Sequence, residues 1–146
     1  MTGLPPPLHP FLVHFPVALW LTGTLILLVA TIRGKRDWEK FAWLLFALAT
    51  LGATAAAYTG REELALLDTA SLELLGSHGD WGNALPWLMG GGVLVKTHLT
   101  LTKREVLGER WGWCAFSVVI SIFVLYTSHL GGSLVYSEVF IRATSR

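Results

Sequence analysis

Three long stretches of the chain carry no charged side chain, and they constrain its fold more than any other feature. Residues 11–32, 41–60 and 111–137 contain no Asp, Glu, Lys or Arg. A fourth stretch, 81–101, is uncharged up to Val95 and then meets Lys96, whose side chain is long enough to reach the interface near a helix end. Since crossing the hydrocarbon layer takes about 20 mostly apolar residues, the sequence predicts four transmembrane helices.

The composition supports a membrane protein and excludes a nucleic-acid-binding one. The chain has 146 residues, of which 53% are hydrophobic and 14% charged, with a mean hydropathy of +0.54. This length is enough for one domain, residues 1–146, and the composition is too apolar for an ordinary soluble protein. The net charge is only +1, and basic residues occur in small groups beside apolar runs rather than along a polar face.

The connections between the apolar stretches predict how the helices are arranged. We expect helices at about 11–32, 40–60, 81–101 and 111–130, with a loop at 61–80. Short connections join the first helix to the second and the third to the fourth, so neighbours run antiparallel and the fold is an all-α, up-down-up-down four-helix bundle. Leucines spaced through residues 62–75 favour a short helix lying along the interface within the longer middle loop.

Basic residues set the predicted direction of insertion. They cluster in the two short connections, whereas the middle loop has Arg61 alone against five acidic residues. By the positive-inside rule both termini and the middle loop face outward. The first helix lacks a preceding positive charge and is longer than a signal-peptide core, so we expect it to remain in the mature chain.

Four of the five histidines fall at the outer end of this bundle. They are His9, His14, His78 and His129, whereas His98 lies at the other end and is expected to be a solvated headgroup contact. Imidazole binds metals while neutral, and two imidazoles across a bundle interior can hold a haem iron from both faces. The single cysteine, Cys114, leaves no C-x-x-C-H attachment motif, so the predicted group is a non-covalent, b-type haem.

The residues alone leave the ligand pair open. We expect His14 to serve with either His78 or His129, and we keep His9 as a further candidate. His9 precedes Pro10 and is expected to lie outside the helix. Five helical residues separate His9 from His14, which places their side chains about 140° apart and turns them toward different neighbours.

Glycines mark two further places where the helices are expected to leave room. Gly131 and Gly132 follow His129, where they are expected to end the fourth helix and to open space beside the imidazole. The second helix carries Gly52, Ala56 and Gly60 at four-residue intervals, a pattern that suits either tight helix packing or the approach of a flat ligand.

Two motifs resemble a bacterial four-helix membrane family known only as a transmembrane domain of unknown function. They are "HPFLVHFPVALWL" at 9–21 and "SHLGGSLVY" at 128–136, and the likeness extends to Gly60 and His78. The resemblance implies a multi-pass protein of the bacterial inner membrane, with its outer side in the periplasm. It also implies a redox setting, since similar domains occur beside or fused to cytochrome c modules. Carried over, the pattern covers His9, His14, His78 and His129, with Gly131 and Gly132.

The predicted function is electron transfer by a small b-type cytochrome-like subunit near the outer membrane face. No nucleophile, phosphate loop or buried acid–base pair stands out, so we expect a redox carrier and not an enzyme. The expected partners are membrane lipid and either other membrane subunits or a cytochrome c-type protein. Two alternatives stay open: a cofactor-free accessory subunit of a respiratory or photosynthetic complex, and a subunit whose histidines bind a chlorophyll-type pigment or copper.

Overall fold

The computed structural model describes residues 9–64, 72–104 and 109–144, with side chains over 9–61, 76–104 and 109–133. These residues contain helices and turns and no strand, which confirms the all-α prediction. The helices are α1 (His9–Leu12), α2 (His14–Arg33), α3 (Arg36–Leu64), α4 (Leu72–Leu101) and α5 (Glu109–Thr144).

Proline explains why the first apolar stretch is divided into α1 and α2. Pro16 has no backbone N–H, so the carbonyl of Leu12 receives no helical hydrogen bond from it. The interruption is confined to Val13, which keeps nearly helical angles of φ −63° and ψ −24°. The chain therefore enters the bundle as one short turn that leads directly into a long helix.

A glycine allows the sharp reversal between α2 and α3. Gly34 has a φ of 65° and a ψ of 27°, the left-handed conformation that glycine adopts without steric cost. The N–H of Lys35 then bonds the carbonyl of Ala30 at 2.9 Å, closing the end of α2. Because α3 starts at Arg36, the two helices pack side by side in opposite directions.

The four long helices form a closed ring of contacts. α2 packs against α3 and α5, α3 packs against α4, and α4 packs against α5, while the short α1 lies on α3 and α2. The centre of the bundle is filled by Trp20, which is fully buried, and by Phe46, with their ring centroids 4.5 Å apart. The predicted four-helix bundle is confirmed.

Small and polar residues hold α2 against α5. The indole Nε1 of Trp20 donates to the carbonyl of Ser117 at 3.2 Å. One helical turn further along α2, the hydroxyl oxygens of Thr24 and Ser121 lie 3.1 Å apart. Polar contacts of this kind stabilise helix pairs inside a membrane, where water is absent as an alternative partner.

Ion pairs tie the helices together at the end opposite the start of α1. Lys96 on α4 contacts Glu109 on α5 at 2.7 Å, and Arg110 contacts Glu39 on α3 at 2.5 Å. The carboxylate of Glu109 also accepts a hydrogen bond from the indole of Trp113 at 2.7 Å. Lys96 is therefore held by a partner on the neighbouring helix.

Three helices of the described residues are long and apolar enough to cross a membrane: His9–Arg33, Arg36–Arg61 and Glu109–Ser133. These are three of the four predicted crossings. α4 has 30 residues, about 45 Å of helix, so it is also long enough, but it includes Asp80, Lys96 and His98. The crossing at 81–101 stays a prediction, and α4 takes its place in the bundle through its packing on α3 and α5.

The helices are longer than the sequence predicted at two places. In the predicted loop 61–80, α3 continues to Leu64 and α4 already begins at Leu72. The expected interfacial helix over 62–75 is therefore replaced at both ends by the long helices, and residues 65–71 lie outside the described residues. The expected helix end at Gly131 and Gly132 needs correction too, because α5 continues to Thr144.

Candidate functional site

His9 lies at the very start of the described chain, where α1 places its ring against α3. The Nδ1 atom of His9 is 2.7 Å from the carbonyl oxygen of Ala56. One turn further along α3, a Cβ atom on Gly60 would lie 2.9 Å from Nδ1 and Cε1 of the ring. Glycine at position 60 thus leaves the space that the imidazole fills.

His78 is held in the same way by α5. Its Nδ1 atom is 3.1 Å from the carbonyl oxygen of Thr127. A Cβ atom on Gly131, one turn further along α5, would lie 2.9 Å from Cε1 of His78. Gly131 therefore makes room for an imidazole on α4 and not, as the sequence suggested, for that of His129 on its own helix.

The two held imidazoles come close together at the end of the bundle and make a T-shaped ring contact. The ring centroids of His9 and His78 are 6.0 Å apart, and the ring planes meet at 75°. A carbonyl oxygen only accepts hydrogen bonds, so each Nδ1 carries the proton in a neutral ring, and each Nε2 keeps its lone pair. In its neutral form, an imidazole bonded in this way presents Nε2 as the nitrogen that can bind a metal.

The surroundings of His78 favour its neutral form. His78 precedes the predicted membrane crossing at 81–101. Burial lowers the pKa of its imidazole below the usual 6.5, and the charge of His9 lowers it further, while the hydrogen bond to Thr127 opposes these effects. A neutral imidazole is the form that a metal requires.

The other histidines lie outside this pair. His14 is exposed and its Nδ1 atom bonds the carbonyl of Pro10 at 2.6 Å within its own part of the chain. His129 is exposed beside Thr127, at the same end of the bundle, and His98 is exposed at the other end. The structure therefore brings His9 and His78 together and leaves His14, the expected ligand, and His129, one of its two expected partners, on the surface.

The glycines of the second predicted helix are used for packing. A Cβ on Gly52 would lie 3.3 Å from Cδ of Pro16, so α2 and the imidazole of His9 occupy the small-residue stripe of α3. A Cβ on Gly132, which was expected to belong to the site, would meet no atom within 4 Å. Gly60 and Gly131 are thus the two glycines that contact imidazole rings.

His9 is the residue whose importance sequence reasoning underestimated. It was expected outside the helix because it precedes Pro10, whereas the structure makes it the first residue of the helical turn α1. The short α1 continues the direction of α2 through the nearly helical Val13 and places its first residue on α3. The signal in the sequence was Pro16, whose missing N–H predicts a break close to Leu12.

No group of three or more His, Cys, Asp or Glu side chains able to hold a metal ion occurs among the residues that the structure describes. The site thus consists of one imidazole pair. Two is the number of protein ligands that a six-coordinate haem takes, because the porphyrin supplies the other four nitrogens.

Comparison with known families bears on the whole chain. Residues 5–142 match a family described as predicted membrane protein DUF2231. The chain belongs to this family. The match covers nearly all of the described helices and both histidines of the pair, and it confirms the resemblance to a membrane family of unknown function. No curated protein and no solved structure matches the chain.

Proposed function

We propose that this protein is a small membrane b-type cytochrome-like subunit in which His9 and His78 would hold the iron of a haem. The observation that carries the proposal is the pairing of two imidazoles whose ring centroids are 6.0 Å apart. The proposal keeps the function expected from the sequence and replaces its preferred ligand, His14, by His9.

The separation of the rings supports this assignment. A metal-bound imidazole nitrogen lies about 2.0–2.1 Å from the metal, so the ring centres of two imidazoles that share one metal would lie at most about 6 Å apart. The 6.0 Å between His9 and His78 is of this size.

The residues around the pair would orient and tune the ligands. The carbonyls of Ala56 and Thr127 fix which nitrogen is protonated and increase the electron density on Nε2. Gly60 and Gly131 let both rings lie close to the helix backbones. When bound, a haem supplies reversible one-electron exchange at its iron, and the protein contributes ligand identity, hydrogen bonding and burial.

The decisive experiment is an absorption spectrum of the detergent-purified protein with single histidine substitutions. A dithionite-reduced alpha band and a pyridine haemochrome are expected for the wild type. His9→Ala and His78→Ala should each lose the six-coordinate spectrum, whereas His98→Ala, at the opposite end of the bundle, should keep it. His14→Ala and His129→Ala should keep it too.

Each other outcome assigns a different function. A colourless wild-type protein would favour the cofactor-free accessory subunit, in which both histidines only tie neighbouring helices through backbone carbonyls. Far-red bands would favour a chlorophyll-type pigment, and a copper signal without haem would favour a copper site. Loss of the spectrum in His14→Ala with retention in His9→Ala would restore the ligand pair preferred from the sequence.

We further propose that the end bearing His9 and His78 faces outward, in the periplasm of a bacterium, where membrane subunits or a cytochrome c-type protein would exchange electrons with it. The support is the charge distribution: six exposed basic residues lie at the other end, namely Arg33, Lys35, Arg36, Lys40, Lys103 and Arg104. An impermeant thiol reagent applied to intact cells should label Ser77→Cys and leave Lys103→Cys unlabelled. The reverse pattern would invert the orientation.

A further inference from the structure

The hydroxyl of Thr127 differs from every other buried hydroxyl in the described part of the chain. Those of Thr24, Ser117 and Ser121 each donate to a backbone carbonyl one turn earlier in their own helix, at 2.8–3.0 Å. Thr127 is 7% exposed, and its Oγ1 atom has no hydrogen-bond partner among the described residues. A buried hydroxyl without a partner costs about 1–3 kcal/mol, so its presence requires an explanation.

Thr127 is also part of the histidine site. Its carbonyl oxygen accepts the hydrogen bond from His78, and Gly131, one turn further on the same side of α5, contacts the ring of His78. The adjacent residues Tyr126 and Ser128 are exposed, so the side chain of Thr127 points into the bundle. The unpaired hydroxyl therefore lies beside the proposed ligand pair, on the interior side of the helix.

We propose that Thr127 is a third polar contact of this site and that its hydroxyl donates a hydrogen bond to an oxygen of the bound group. This inference rests on the proposed haem function. The peripheral hydrogen-bond acceptors of a b-type haem are the oxygens of its two propionate carboxylates, so the inference assigns a propionate to Thr127. Hydrogen bonds to charged acceptors are the stronger ones, and they offset the burial of the hydroxyl.

The test compares Thr127→Val, which keeps the shape and removes the hydroxyl, with Thr127→Ser, which keeps the hydroxyl. Without cofactor, Thr127→Val should melt about 2–4 °C above the wild type, because it removes an unpaired buried polar group. With haemin, Thr127→Val should bind roughly tenfold or more weakly, while Thr127→Ser stays near the wild type. Haemin dimethyl ester replaces the charged carboxylates by neutral ester carbonyls, which accept weaker hydrogen bonds, so it should reduce the difference in affinity between wild type and Thr127→Val.

Thr24→Val is the matched control, because Thr24 is equally buried but its hydroxyl is bonded. This variant should lower the melting temperature of the cofactor-free protein and leave haemin affinity unchanged. Equal haemin affinity of Thr127→Val and wild type would overturn the inference alone, as would a difference of undiminished size with the dimethyl ester. If the wild type takes up no haemin, the proposed function fails and the inference fails with it.

Discussion

The imidazoles of His9 and His78 come within 6.0 Å of each other although they belong to opposite parts of the chain. His9 precedes α2 and rests on the end of α3, whereas His78 lies near the start of α4 and rests on α5. Each is tied to a backbone carbonyl of one helix and lies over a glycine one turn away. This shared arrangement makes the pair sensitive to very small changes in the two supporting helices.

Two adjacent glycines of α5 should respond differently to substitution. In Gly131→Ala the new methyl group would lie 2.9 Å from the His78 ring, so we expect a loss of about 1–3 kcal/mol in the free energy of unfolding and weaker haem uptake. Gly132→Ala is the control: its methyl group meets nothing within 4 Å, and alanine favours the helix by up to about 1 kcal/mol. Thermal unfolding in detergent measures both, and equal effects would contradict the packing described for His78.

A second glycine pair tests the contact between α4 and α5. A methyl group on Gly92 would clash with the ring of Phe116, whereas one on Gly91 would point into open space. Gly92→Ala should therefore lower the melting temperature and Gly91→Ala should leave it unchanged or raise it. If Gly92→Ala melts at the wild-type temperature, α4 packs less closely on α5 at Phe116 than the structure has it.

The buried ion pair of Lys96 with Glu109 should contribute more to stability than the exposed pair of Asp37 with Lys40. Glu109 is 11% exposed in its pair with Lys96, so Glu109→Gln should cost about 1–2 kcal/mol in the free energy of unfolding. The pair of Asp37 with Lys40 is 89% and 78% exposed, so Asp37→Asn should change stability very little. A double-mutant cycle of Glu109→Gln with Lys96→Met isolates the interaction, and a coupling near zero would argue against it.

The cofactor-free protein should lose stability on mild acidification. Burial and the charge of His9 lower the pKa of His78 in the folded state. In the unfolded chain His78 therefore takes up a proton near pH 6.5, whereas in the folded chain it does so only at a lower pH. Stability should be constant above pH 6.5, fall as the pH drops toward the lowered folded pKa, and level off below it. Melting curves between pH 8 and pH 5 measure this, and His78→Gln should flatten the dependence while His98→Gln retains it.

Much of the fold follows from hydropathy along the chain. Three stretches without a charged residue became α2, α3 and α5, because a helix pairs all its internal backbone groups and only such segments suit a hydrocarbon environment. The glycine turn at Gly34 and the short connection to α5 made neighbours antiparallel. The match to a membrane family agrees with these predictions.

The ends of the helices were harder to predict. Glycines such as Gly131 and Gly132 often end a helix, yet α5 continues through them, and Gly131 lies where the ring of His78 approaches the backbone. Likewise α3 and α4 extend into the predicted loop 61–80. Local preference at these positions is weaker than packing between helices, and packing partners are distant in sequence.

The sequence by itself determined that the chain forms apolar helices, that adjacent ones reverse direction, and that four histidines gather at one end. Only the tertiary structure decided which imidazoles meet, since that depends on how each helix is rotated about its axis and on which small residues let the backbones approach. The packing of α1 on α3 placed His9 over Gly60, and the packing of α4 on α5 placed His78 over Gly131. Hydropathy does not encode these rotations, because every orientation of an apolar helix exposes similar surface to lipid.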